Sequence, residues 1–360
     1  MSLRRVVLIC ALCAVSSSFV GATPWQISVG PRIWGAAVDL GYTGFTPFDG
    51  LNTTPGLGLS AEWGTVGYFR EDDGTAVDSA DPGPYHTRTL LTLNAGITQS
   101  LIPEGDVALR AFLFYRGRID LPHTDGLLKE SGTASADGDV THYVLAGLGL
   151  SNAAIDSSTR VRSGGLFDLG VEYGPRFPGN EVLGSSDFLR ANVETRYYLP
   201  LVATTRDDGR NNFSAYLASM LTADFAFGAA VPIWVRQSFG GRYTRTGLGG
   251  AVRGFESGRF DADTKAYASL ELRTLIGAAF HPSVVPGLTA FVDAGGWIDR
   301  EARLPVPSDN SGSIVSTGIG ASIDVADILT LVFYTQHTVH GTRLDGVRWT
   351  PFAIGFGAHF

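Results

Sequence analysis

The 360-residue sequence predicts an all-β fold, a single antiparallel β-barrel whose strands cross a membrane. Three observations predict it. Apolar and polar residues alternate through segment after segment, as they do in a strand with one greasy and one polar face. No apolar run after residue 22 approaches the ~20 residues a membrane-spanning helix needs. The connections between the alternating segments run long, short, long, short, the pattern of membrane barrels with long outer loops and short turns at the other end. A soluble sandwich would also alternate, but it has no reason to obey that parity.

The chain begins with a secretory signal pattern. Arg4 and Arg5 precede an apolar run over 6–15, and Val20, Gly21 and Ala22 supply small residues for cleavage near Ala22. Residues 1–22 are then a signal peptide and 23–360 the barrel. Cys10 and Cys13 both fall in the signal, so the mature chain has no disulfide framework. With 46 glycines, 21 phenylalanines and 12 tyrosines, the chain is rich in the residues of barrel interiors and belts. Its 17% of charged residues lies below the typical ~25%. A formal charge of −8 without a basic stripe excludes nucleic acid as a partner.

Residues 25–48 alternate through Trp25, Ile27 and Val29 and again through Val38, Leu40 and Tyr42. An even strand count lets the stretch 23–55 add two strands or none. In the second case it is an N-terminal arm or plug. Strands are expected at 56–70, 85–101, 106–119, 139–152, 163–174, 186–200, 212–228, 263–277, 287–299, 313–324, 328–340 and 349–360. Twelve is therefore the favoured count, with fourteen or sixteen as the other even choices.

In 186–200, Leu189, Ala191, Val193, Tyr197 and Leu199 share one face, and Arg190, Asn192, Glu194, Arg196 and Tyr198 the other. In 106–119, Val107, Leu109, Ala111, Leu113 and Tyr115 oppose Arg110 and Arg116. The inward arginines could line an anion-selective lumen or pair with Glu172 and Glu194 to stiffen it, and pairing is favoured. The six tryptophans are expected in the interface belts. The last strand alternates Phe352, Ile354, Phe356, Ala358 and Phe360 with Ala353, Gly355, Gly357 and His359. Phe356 and Phe360 would be its assembly signal, while Gly355 and Gly357 weaken pairing there.

The long connection 229–262 holds Phe239, Gly240 and Gly241, then Val252, Arg253, Gly254 and Phe255. A Glu-containing strand follows (Ser269, Leu270, Glu271, Leu272, Arg273), then Phe291, Val292, Asp293, Ala294 and Gly295. Gly318 to Ser322 and the aromatic-ended strand complete the order. These ordered motifs resemble the outer-membrane polypeptide-assembly and translocation superfamily of BamA-type insertases, TamA-type proteins and two-partner-secretion transporters, also described as the bacterial surface antigen family. The resemblance covers roughly 185–360. It implies that loop 229–262 folds into the lumen and that Arg253 pairs with acidic groups on the inner wall. Alternation puts Glu271 and Asp293 on that wall, where a planar guanidinium can serve both.

The family's periplasmic repeats have no counterpart in the stretch ahead of the first strand, so a minimal barrel without them is expected. The resemblance implies a bacterial outer-membrane location, outer-membrane lipid as surroundings, and client polypeptides or a separate periplasmic repeat protein as partners. The role expected is a minimal or accessory barrel for inserting or transporting protein or lipid. A passive porin-like channel and a lipid-modifying enzyme are the alternatives. The enzyme would rest on His281 and Ser283, which lie in a short turn with a proline between them. His337 and His340 fall on opposite faces of a strand and make no metal pair. Glycine-rich 247–254 lacks the Gly-Lys-Ser/Thr of a phosphate loop. Hence no catalytic residue, metal or cofactor is expected.

Overall fold

The computed structural model describes residues 25–32, 35–43, 53–67, 85–102, 107–122, 140–156, 158–176, 186–255, 260, 262–277, 284–299, 311–325, 329–341, 343 and 346–356. The expected signal segment 1–22, His281, Ser283 and Phe360 lie outside them. The fold is one antiparallel meander. Its strands are β1 (Trp25–Arg32), β2 (Gly35–Thr43), β3 (Thr53–Gly67), β4 (Tyr85–Ile102), β5 (Ala108–Pro122) and β6 (Val140–Ser151). After the two-residue β7 (Ala154–Ile155) come β8 (Arg162–Gly174), β9 (Asp187–Thr205) and β10 (Asn211–Ala230). Two-residue β11 (Ser238–Phe239) and β12 (Arg245–Thr246) lie in the long connection. The closing run is β13 (Thr264–Ile276), β14 (Val284–Ile298), β15 (Ser311–Val325), β16 (Leu329–His340) and β17 (Trp349–Phe356).

Each long strand pairs with the next, and β10 pairs with β13 across the long connection. Among the described residues the meander holds fourteen strands, one of the allowed even counts but not the favoured twelve. Each of the twelve expected segments holds a strand within its described residues. The stretch 23–55, left open between an arm and a strand pair, supplies β1 and β2, which pair from Trp25 with Tyr42 to Arg32 with Gly35. β2 continues the sheet onto β3. Order runs from β1 to β17, and the described residues include no pairing between those two ends.

Burial inverts the rule for a soluble protein. On β8, Phe167, Leu169, Val171 and Tyr173 are exposed while Asp168 and Glu172 are buried. On β13, Leu270 and Leu272 are exposed while Lys265, Ser269, Glu271 and Arg273 are buried. Charged groups are buried only where partners and hydrogen bonds compensate the loss of water. Large apolar side chains stand outward along whole strands only where the surroundings are hydrocarbon. The sheet therefore curls with its charged face inward, and residues 229–255 occupy that interior. Loop groups touch Arg116 on β5, Glu172 on β8, Asp224 on β10 and Asp293 on β14.

The tryptophans divide. Trp63 and Trp349 stand outward as expected, but Trp234 and Trp297 are buried. Trp234 lies in the long connection and packs edge-on to Phe188, with ring centroids 5.8 Å apart. Trp297 shares the inward parity of Asp293 and packs against Phe260 with ring centroids 4.6 Å apart and planes tilted by 40°. The belt expectation failed for both because the loop gives the lumen an apolar surface for them to join.

Candidate functional site

The long connection builds a compact insert from few regular elements. A short helix α1 (Ile233–Arg236) leads into β11, which pairs with β12, and a second helix α2 (Leu248–Ala251) follows. The Gly247 amide donates to the Gln237 carbonyl at 2.8 Å and closes the base of the small hairpin. One side of the insert is apolar. Phe239, Leu248, Val252 and Phe255 pack with Met220, Tyr267, Trp297 and Ile314 from the wall. Gly295 makes room, since a Cβ there would lie 2.8 Å from a Leu248 methyl and 2.9 Å from a Val252 methyl.

The polar side is held at two places. The first is Arg253. Register sets Ser269 beside Asp293 and Glu271 beside Phe291 on adjacent strands, so four inward side chains form a square. Arg253 sits over it. Its Nε donates to Asp293 Oδ2 at 2.6 Å, and its Nη2 donates to Asp293 Oδ1 at 2.8 Å and lies 2.6 Å from Glu271 Oε1. The guanidinium carbon stands 3.4 Å from the Phe291 ring centre. The Arg253 amide donates to Asp293 Oδ2 at 3.2 Å, and Ser269 and Tyr267 hydroxyls donate to Oδ1 at 2.7 and 3.3 Å. Burial alone would lower the Arg253 pKa, but Asp293 and Glu271 outweigh it and hold it above its ordinary value. Gly254 turns the chain just after, at φ +100°, where a side chain would be strained.

The second holding point lies on the wall formed by β5 and β8 to β10. Here the loop main chain touches the wall directly. The Gly240 amide donates to Asp224 Oδ2 and the Gly241 amide to Glu172 Oε1, each at 2.9 Å. Arg190 links these carboxylates, with Nε 2.8 Å from Glu172 and Nη1 3.6 Å from Asp224. Lys265 adds a charge 3.7 Å from Asp224. Arg116 donates to the carbonyls of Gly241 and Arg242 at 2.9 and 2.7 Å. A Cβ on Gly240 would lie 2.4 Å from Arg190 Nε, and Gly241 takes φ +89°. Farther on, Arg245 donates to Glu194 at 2.8 Å, beside Arg196.

The expected residues thus fall in two groups. Val252, Arg253, Gly254, Phe255, Glu271 and Asp293 meet at the first point, and Gly240 and Gly241 lie at the second. Phe356 ends β17, well away from both in the order of strands. Of the four inward arginines, Arg116, Arg190 and Arg196 pair with Glu172 or Glu194. Sequence reading missed Asp224 and Lys265, and with them the carboxylate contacts to the glycine amides. Inward parity could have named both residues, but not the loop amides they face. What the arrangement can do is hold a segment inside a barrel. Among the described residues no group of acidic, histidine or cysteine side chains could hold a metal ion.

The family model described as the Omp85 superfamily domain matches residues 67–341. No curated protein matches the chain. Among solved structures, BamA from Haemophilus ducreyi lacking POTRA domains 1-3 is similar at TM-score 0.57 and 15% identity, over 92% of this chain and 63% of that one. CdiB from Escherichia coli is similar at TM-score 0.58 and 16% identity, over 92% and 55%. CdiB from Acinetobacter baumannii is similar at TM-score 0.52 and 14% identity, over 92% and 52%. The chain thus spans between about half and two-thirds of the length of these structures.

Proposed function

The chain belongs to the Omp85 superfamily, and from that membership we propose that it is a bacterial outer-membrane barrel that inserts or transports protein or lipid, alone or as an accessory to a larger machine. The observation that carries the reading is the seating of loop residues 229–255 among inward charges, with Arg253 between Asp293 and Glu271. Such a pair is costly to break, because removing one partner leaves a buried charge without compensation. The loop then acts as a lock that holds the barrel in one state. Clients enter when it yields, beside the meeting of first and last strands. Partners by this reading are outer-membrane lipid, client polypeptides and a periplasmic repeat protein, and the protein performs no chemistry on a substrate.

An insert of this size, packed against the wall on both its apolar and its polar side, weighs against a passive solute channel. Planar-bilayer recording tests the choice. The wild type is expected to be nearly silent or to open briefly, and Arg253→Ala to open more often. Steady, large, ion-selective conductance in the wild type would assign the protein to the porin class instead.

A further inference from the structure

The two holding points lie on walls that share β13, and they differ in the part of the loop they grip and in their access to water. Glu172, Arg190, Asp224 and Lys265 have side chains 0% exposed. The Arg253 side chain is 21% exposed. At Gly240 and Gly241 the main chain lies on the wall, with carboxylates bonded to its amides and no side chain between. At Arg253 the polar grip passes through a long side chain that can swing, plus one amide bond of 3.2 Å, and the rest of 248–255 is held by the apolar packing of Leu248, Val252 and Phe255. The segment 237–247 is also closed on itself, by β11 with β12 and by the bond from Gly247 to Gln237.

We propose that the loop is a flap. Its base is the hairpin 237–247, seated permanently by Glu172, Asp224 and Arg190. Its moving end is 248–255, freed when Arg253 leaves Asp293 and Glu271 and the apolar side chains of Leu248, Val252 and Phe255 then lift from the wall. Water reaches Arg253, though not Asp293 beneath it, and can take up the guanidinium as it leaves, while Glu172, Arg190, Asp224 and Lys265 have no such access. The flap opens on one side only. It uncovers the inner face of β13 to β16, next to the C-terminal strand β17, and leaves the wall of β5 to β10 covered. Glu172, Asp224 and Arg190 are therefore positioning residues: they fix the hinge and so the direction of opening. The inference rests on the loop acting as a lock.

Amide hydrogen exchange on the full mature chain in detergent tests it, because the two holding points are read by different amides. In the wild type the Gly240 and Gly241 amides are expected to exchange more slowly than those of Ala251, Val252 and Arg253. Arg253→Ala is expected to speed the second group about tenfold or more and to leave the first unchanged. Equal acceleration of both groups would show one rigid insert and overturn the flap. No acceleration anywhere would overturn the lock reading itself. Glu172→Gln is expected to speed both groups, and acceleration confined to Gly240 and Gly241 would overturn their role as the base. Should that variant fail to fold, a urea series on the wild type decides. Opening at 251–253 ahead of 240–241 is expected, and simultaneous or reversed opening refutes the hinge.

Discussion

At the scale of single residues, Arg253 combines a fork of donors, a charge and a flat face, and its site uses all three. Two carboxylates take the donors and the Phe291 ring takes the face. Arg253→Ala strands Asp293, whose side chain is 0% exposed. The cost expected is about 3 kcal/mol, the lower end for a broken buried pair, because Arg253 itself meets some water. It should appear as a lower transition temperature in the gel shift between folded and heat-unfolded forms. Arg253→Lys restores charge without the fork and is expected to fall between the two. Transition temperatures equal to wild type in both variants would mean that Arg253 anchors nothing.

Asp156, in the turn between β7 and β8, behaves differently because it is exposed. Its Oδ1 accepts from the Ser158 hydroxyl at 2.7 Å, the Thr159 amide at 2.7 Å, the Ser158 amide at 2.9 Å and the Thr159 hydroxyl at 3.0 Å. The Ser158 hydroxyl leads in holding its pKa down to about 2. A folded value below the unfolded one, near 3.9, means the turn is stabilised above that value. That contribution is lost as pH falls through about 2. A carboxylate-detected NMR titration is expected to find Asp156 well below other exposed aspartates, and Ser158→Ala to raise it. A midpoint near 3.9 in the wild type would contradict the turn geometry.

At the scale of elements, the glycines find their reason in the register. Gly174 faces Phe188, Gly147 faces Phe112, Gly318 faces Phe291 and Gly312 faces Trp297, each pair directly opposite on neighbouring strands. An inward ring lies over its glycine, which fills the interior without crowding the strand. A Cβ on Gly312 would meet three atoms of the Trp297 ring, the nearest at 2.5 Å. Gly312→Ala should therefore displace Trp297 from Phe260 and destabilise the barrel by about 1–3 kcal/mol, as overpacking does. In a Trp297→Leu background the same change should cost much less, and equal costs in the two backgrounds would rule out the ring as cause.

None of these pairs was legible in the sequence. Alternation tells which face a residue takes, but partners on neighbouring strands depend on register, which the turns set. For the same reason Arg253, Glu271 and Asp293 could be placed inward with the help of motif order, while Asp224 beneath Gly240 could not. Twelve strands were legible from period and connection length. β1 and β2 were not, because parity allows two strands or none, and their 8 and 9 residues give few alternations to count.

At the scale of the whole molecule, the inverted faces decide the medium. Leu270 is 51% and Ile319 63% exposed, while Glu271 beside Leu270 is buried and paired with Arg253 and Arg273. In water such an outer surface would aggregate, and in lipid it is the favoured face. Substituting outward residues with arginine separates the two media. In a soluble sandwich Leu270→Arg, placed on a face already open to water, should change stability by no more than about 0.5 kcal/mol. In a bilayer it should cost about 2–4 kcal/mol near the midplane, and about 0–1 kcal/mol at a belt position such as Trp349→Arg. Reversible folding into vesicles, titrated with denaturant for each variant, reads that depth profile directly. A profile that peaks at Leu270 and fades toward Trp349 places the sheet across the membrane, and a flat one would remove the lipid-facing surface on which the barrel, its enclosed loop and its proposed traffic all depend.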